Sequence, residues 1–145
     1  MCIVNLLTFY VCSIGFSSPM LFDDRKYPYH IMLRNFVLSG GQDAFFDCFH
    51  MAFDQQSQNS SSPDLPDGIV EFLDSWLLLL EKMTNPQTLF DSPHAYSSSK
   101  QIGESDDIHL DPIQYLIRTH KKAFPCIMEL WNSKLYRIKC DRVKQ

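Results

Sequence analysis

Apolar side chains return every three or four residues along most of this chain, the rhythm of amphipathic helices rather than of strands. Tyr29, Met32, Leu33, Phe36 and Val37 form one stripe and predict a helix over about 28–39. The run Ser39-Gly40-Gly41-Gln42 stops it, because glycine adopts the left-handed helix-ending conformation without steric cost. A second helix follows over about 42–55, with Phe45, Phe49, Ala52 and Phe53 on its apolar face, so the pair reads as a helical hairpin. The polar, turn-rich segment 56–67 is a loop. A third helix over about 68–85 keeps Ile69, Phe72, Leu73, Trp76, Leu80 and Met83 in register. Leu77, Leu78 and Leu79 widen its stripe until only Asp74, Glu81 and Lys82 hold a polar edge. That pattern predicts a helix covered on nearly all sides. Its charges, with Glu71 and Asp74 near the middle, argue against a membrane span.

Residues 86–111 then read as one long loop, low in apolar content. A fourth helix over about 112–132 starts cleanly. Asp111 is a good N-cap, Pro112 suits the first turn and Gln114 completes a capping box. Its expected apolar face is Ile113, Leu116, Ile117, His120, Phe124, Ile127, Met128 and Trp131, and Pro125 predicts a kink. A fifth helix is expected over 135–143. Four or five amphipathic helices with long polar loops give an all-α fold, a piece of an α-solenoid, although no repeat of fixed period is visible.

The opening segment, residues 1–18, has a different character. Its apolar run from Ile3 to Phe16 resembles a secretory leader but has no Lys or Arg before it, and it is too short to span a membrane. It reads as an apolar extension outside the fold, with residues 19–145 forming the helical segment.

Composition changes this picture little. The net charge of −4 conceals an asymmetry: residues 118–145 carry eight bases against two acids, a net +6, and the rest of the chain carries −10. Such a basic end could hold an anionic partner, but mutual complementation between neighbouring segments explains it more simply, and no nucleic-acid or membrane partner is expected. Cys2, Cys12, Cys48, Cys126 and Cys140 are odd in number and widely spaced, which fits free thiols in a reducing compartment. The triplet Asn59-Ser60-Ser61 would permit glycosylation, and with the opening run it supports an alternative, a small secreted or membrane-anchored helical binding protein.

The residues announce no chemistry. His30, His50, His94, His109 and His120 are scattered, and Cys48 and His50 stand two apart on a helix, so their side chains diverge. Asp23 with Asp24 and Asp106 with Asp107 are carboxylate pairs in loops, where solvation suffices. Cys126 lies at a core-facing helical position, where a thiolate is disfavoured. Trp76 and Trp131 sit on apolar stripes. No phosphate-binding, nucleotide or hydrolase motif occurs. No catalytic, cofactor or metal site is therefore assigned, and no cofactor is expected.

Three stretches carry a resemblance: LFDDRKYPYHIMLRNFVLSGGQDAFFDCFHMAF (21–53), LPDGIVEFLDSWLLLLEKMTNPQTLFDSPH (65–94) and LIRTHKKAFPCIMELWNSKLYRI (116–138). In this order they resemble consecutive segments of the giant HECT-type E3 ubiquitin ligases that carry HECT, UBA and WWE domains. The matching region is the armadillo-like half ahead of the UBA domain, and the likeness runs from about Pro19 to Val143. Residues 1–18 match nothing in that family, and Cys140-Asp141 stands where a glycine pair is expected. The resemblance implies a fragment that serves as scaffold in ubiquitin-dependent protein degradation, in cytoplasm and nucleus. The parent is a ubiquitin transferase whose catalytic cysteine has no counterpart here. The implied partners are neighbouring helical repeats of the parent ligase and its protein substrates. Solenoid repeats need covered ends, so the chain alone is expected to be aggregation-prone or molten.

Overall fold

The computed structural model describes residues 3–16, 21–58, 68–95 and 109–133. Among them run six helices: α1 (Ile3–Phe16), α2 (His30–Leu38), α3 (Gly41–Gln58), α4 (Ile69–Thr84), α5 (Pro86–Phe90) and α6 (Pro112–Asn132). No strand occurs among the described residues, only an isolated bridge between Phe22 and Pro28. The architecture is all-α and fits an armadillo-like solenoid segment.

The helical hairpin forms where the glycines predict. Gly40 takes φ 83°, and the amides of Ser39 and Gly40 cap the carbonyls of Asn35 and Val37. Gly41 is required for a different reason. A Cβ there would lie 2.4 Å from the Phe36 ring, which covers the start of α3. Phe45, Phe49, Ala52 and Phe53 are all buried, as expected of that face. They meet α4 at Trp76, which is fully buried. Its indole stacks on Phe45 at 5.0 Å, lies 4.8 Å from the Phe49 ring, and donates from Nε1 to the Phe45 carbonyl at 3.0 Å. The hydrogen bond satisfies the one polar atom that burying a tryptophan would otherwise strand.

The apolar excess of α4 is explained by the segment expected to lie outside the fold. Ile3–Phe16 is a helix, and it packs along α4 and against α3. Val4, Leu7, Val11 and Ile14 are buried there, in one continuous core with Phe72, Trp76, Leu79 and Met83. Two glycines set the approach. A Cβ on Gly15 would meet Leu79 at 3.1 Å, and one on Gly68, at φ 81°, would meet Asn5 Oδ1 at 2.4 Å. The hydroxyls of Thr8 and Ser13 return to the carbonyls of Val4 and Phe9, which suits them to a helix without charged residues. A charge-free apolar run carries no mark of the surface it covers, so its place in the fold shows only once α4 stands opposite. The covering is incomplete, since Leu78 remains exposed.

The expected loop over 86–111 contains α5. Asn85 ends α4 and caps α5, accepting from the amides of Gln87 and Thr88, with Pro86 in the first turn. The loop expected over 56–67 begins later, because α3 continues to Gln58. Residues 59–67, 96–108 and the fifth helix expected over 135–143 lie outside the described residues.

Candidate functional site

α6 begins as the sequence predicts, with Asp111 Oδ1 accepting from the amides of Ile113 and Gln114. It runs through Pro125 as one helix to Asn132. Proline there leaves the Lys121 carbonyl without its intrahelical donor, on an exposed flank where water can serve.

The roll of α6 is the opposite of the expected one. Its buried residues are Tyr115, Thr119, Ala123 and Cys126. Of the face expected in the core, Ile113, Ile117, His120, Phe124, Ile127, Met128 and Trp131 are all exposed, Phe124 by 67% and Trp131 by 58%, and Leu116 alone is half-buried. A buried amide explains this. Gln42 is fully buried on α3, in line with Phe45 and Phe49. Its Nε2 donates to Thr119 Oγ1 at 2.7 Å, its Oε1 accepts from Arg118 Nε at 3.1 Å, and Thr119 donates to the Tyr115 carbonyl at 2.7 Å. Turning the apolar stripe inward would strand that amide, at a cost of about 1–3 kcal/mol. The small side chains of Ala123 and Cys126 also allow closer approach. The sequence held the signal: Gln42 is three and seven residues before Phe45 and Phe49, a polar residue on an apolar stripe.

Just outside the amide, Arg118 and Lys122 both pair with Asp43. The Lys122 bond is the main cause holding the Asp43 carboxyl below its ordinary 3.8. Part of the basic end is thus matched to the acidic body. Beside these groups a surface groove of about 520 Å³ is lined by Gln114, Ile117, Arg118, Lys121 and Lys122.

Two histidine clusters join residues far apart in sequence. His50 places Nε2 3.7 Å from Cys126 Sγ and Nδ1 3.4 Å from Glu129. This resembles a nucleophile with its base and orienting acid, but burial, helped by the Glu129 charge, pushes the thiol up to about 11. Cys126 is fully buried and stays a thiol at neutral pH. Cys48 faces inward while His50 is exposed, so that pair diverges as its spacing predicted. The second cluster joins the turn 21–30 to the segment after α5. His94 Nε2 lies 2.8 Å from Asp23 Oδ2, its ring stacks on Tyr29 at 4.1 Å, and Ser92 donates to the Pro28 carbonyl at 2.6 Å. His30 Nε2 reaches the Leu89 carbonyl at 2.8 Å. This is a clasp between two stretches, KYPYH and SPH, that carried the family resemblance. Asp23 is the polar residue at its centre. Against desolvation, the His94 bond and the amides of Tyr27 and Arg25 hold its carboxyl below 3.8.

Among the described residues no group of three His, Cys, Asp or Glu could hold a metal ion. Cys12, Cys48 and Cys126 are free, while Cys2 and Cys140 lie outside the described residues, as do Asp106 and Asp107. No described helix is long and apolar enough to cross a membrane.

No family model matches the chain. In an alignment 144 residues long that covers 96% of the chain, it is 44% identical to the E3 ubiquitin-protein ligase HUWE1 of mouse (Mus musculus), and equally to that of rat (Rattus norvegicus). The chain spans 3% of the length of these relatives. A match covering so much of the chain takes in most of the first eighteen residues, which were expected to match nothing in that family.

Proposed function

Because the chain is related to a short segment of the HECT-type ubiquitin ligases, we propose that it is a non-catalytic scaffold unit of such a ligase. It packs between neighbouring helical repeats and so holds the surfaces that gather protein substrates. One observation carries this reading. α6 closes the core with a narrow face of Tyr, Thr, Ala and Cys, and turns its aromatic and aliphatic stripe outward. Monomers rarely expose a contiguous stripe of that kind without a use for it, and a solenoid uses it to bury the next repeat. The outer side of α1, with Leu6, Phe9 and Tyr10 exposed, supplies a second such face. The free thiols suit a reducing compartment, cytoplasm or nucleus. The apolar run that suggested a secreted protein places Val4, Leu7, Val11 and Ile14 inside the core.

The test has two arms. Incubated with a ubiquitin-charged conjugating enzyme, the chain should accept no ubiquitin in a thiol-sensitive bond. In the intact ligase, replacing Ile117, Phe124 and Trp131 by serine should make this region more sensitive to protease while the ligase's own thioester still forms. A ubiquitin thioester on this chain, or unchanged protease resistance in the triple variant, would overturn the reading.

A further inference from the structure

The outward stripe of α6 has a more regular period than its role as a cover requires. Ile113, Ile117, His120, Phe124, Ile127 and Trp131 follow one another at spacings of four, three, four, three and four, all on the exposed side. That is the alternation of a coiled-coil seam, sustained over the whole helix. A face of this period is matched by a single helix lying almost parallel to it, with side chains of one inserted between those of the other. The two edges of the seam differ. On one side Leu116, Ala123 and Leu130 turn toward the protein's own core and are buried or half-buried. On the other lies the groove with Arg118, Lys121 and Lys122. Asp43 answers Arg118 and Lys122, which leaves an excess of positive charge there with Lys121 exposed at the rim.

We infer that the outer face of α6 docks one amphipathic helix that has a matching seam of apolar residues and an acidic edge lying over Lys121. The inference rests on the scaffold reading and adds the chemistry of the neighbour. A second copy of the same helix is a poor occupant. Antiparallel pairing would bring the Lys121 edges of both copies together, and parallel pairing would lay Lys121 against the partner's apolar edge.

Two synthetic 21-residue helices test this, both with leucine at the seam positions, one with glutamate and the other with lysine along the edges. Each is titrated into the full chain at low salt, and tryptophan emission is followed, because Trp131 is exposed while Trp76 is buried. The glutamate-edged helix should bind about tenfold more tightly and shift the emission to the blue, and Lys121→Glu should reverse the preference. Equal affinity for both helices would overturn the acidic edge and leave α6 as an apolar packing surface. Failure of both to bind would overturn the packing surface as well. Sedimentation of the chain as a dimer that Phe124→Asp dissolves would assign the face to a second copy and overturn the inference.

Discussion

Replacing Val11 by alanine tests whether α1 belongs to the core. Val11 is fully buried, on the side of α1 that faces α4. The change removes two methyl groups and leaves a small cavity in a continuous cluster. Two buried carbons are worth about 1.6 kcal/mol in transfer alone, and incomplete collapse brings the cost to about 2 kcal/mol. For a chain of this length that lowers the melting temperature by about 6 °C. The control is Phe9→Ala, a larger deletion on the same helix at a side chain 71% exposed, which should shift the transition by about 1 °C or less. Circular dichroism at 222 nm during heating reads both, and urea titration repeats the comparison at one temperature. Gly15→Val supplies a third point. Its side chain would press on Leu79, so it should destabilise at least as much as Val11→Ala. Equal curves for the Val11 and Phe9 variants would refute the docking of α1, and α4 would then need its cover from elsewhere.

The remaining predictions concern the polar groups. Thr119→Val should cost about 1–3 kcal/mol by stranding the Gln42 amide, whereas Gln42→Leu combined with Thr119→Val should recover most of that loss; an additive double-mutant cycle would show that the amide does not set the roll of α6. Asp23 and Asp43 are both held below their ordinary 3.8, so the fold binds their ionised forms preferentially. Their stabilisation is complete above that value and is lost as pH falls through the lower folded values, so Asp23→Asn and Asp43→Asn should flatten the acid limb of a melting-temperature profile below pH 4, and unchanged limbs would contradict the pairing of Asp23 with His94 and of Asp43 with Lys122. Cys126, with its thiol pushed up to about 11, should resist iodoacetamide at pH 7 in the folded chain and react once urea unfolds it; fast labelling of the native chain would contradict its burial. The continuous core predicts a cooperative transition, with a hydrophobic dye binding only to the outer faces; a broad, probe-dependent melt would instead bear out the expectation of a molten chain.

Much of this protein follows from local physics. The period of the apolar positions, the Gly40 stop and the cap at Asp111 depend on near neighbours, so the longer helices and their starts follow from the sequence; α5, capped by Asn85 inside the expected loop over 86–111, did not. The buried face of α4 and the inward side of α3 also followed, because apolar residues there outnumber every alternative. The resemblance to the ligases rested on ordered residues and needed no contact. Two matters depended on the tertiary structure. The cover of α4 is a helix more than fifty residues away along the chain, and a charge-free apolar run does not name its partner until both surfaces are in place. The roll of α6 went against its own apolar pattern, because one buried amide on α3 demanded a hydroxyl and no stripe of isoleucine and phenylalanine could supply it. Hydrophobic burial is non-directional and is legible as a pattern, whereas a buried hydrogen bond is directional and is decided only by what stands opposite.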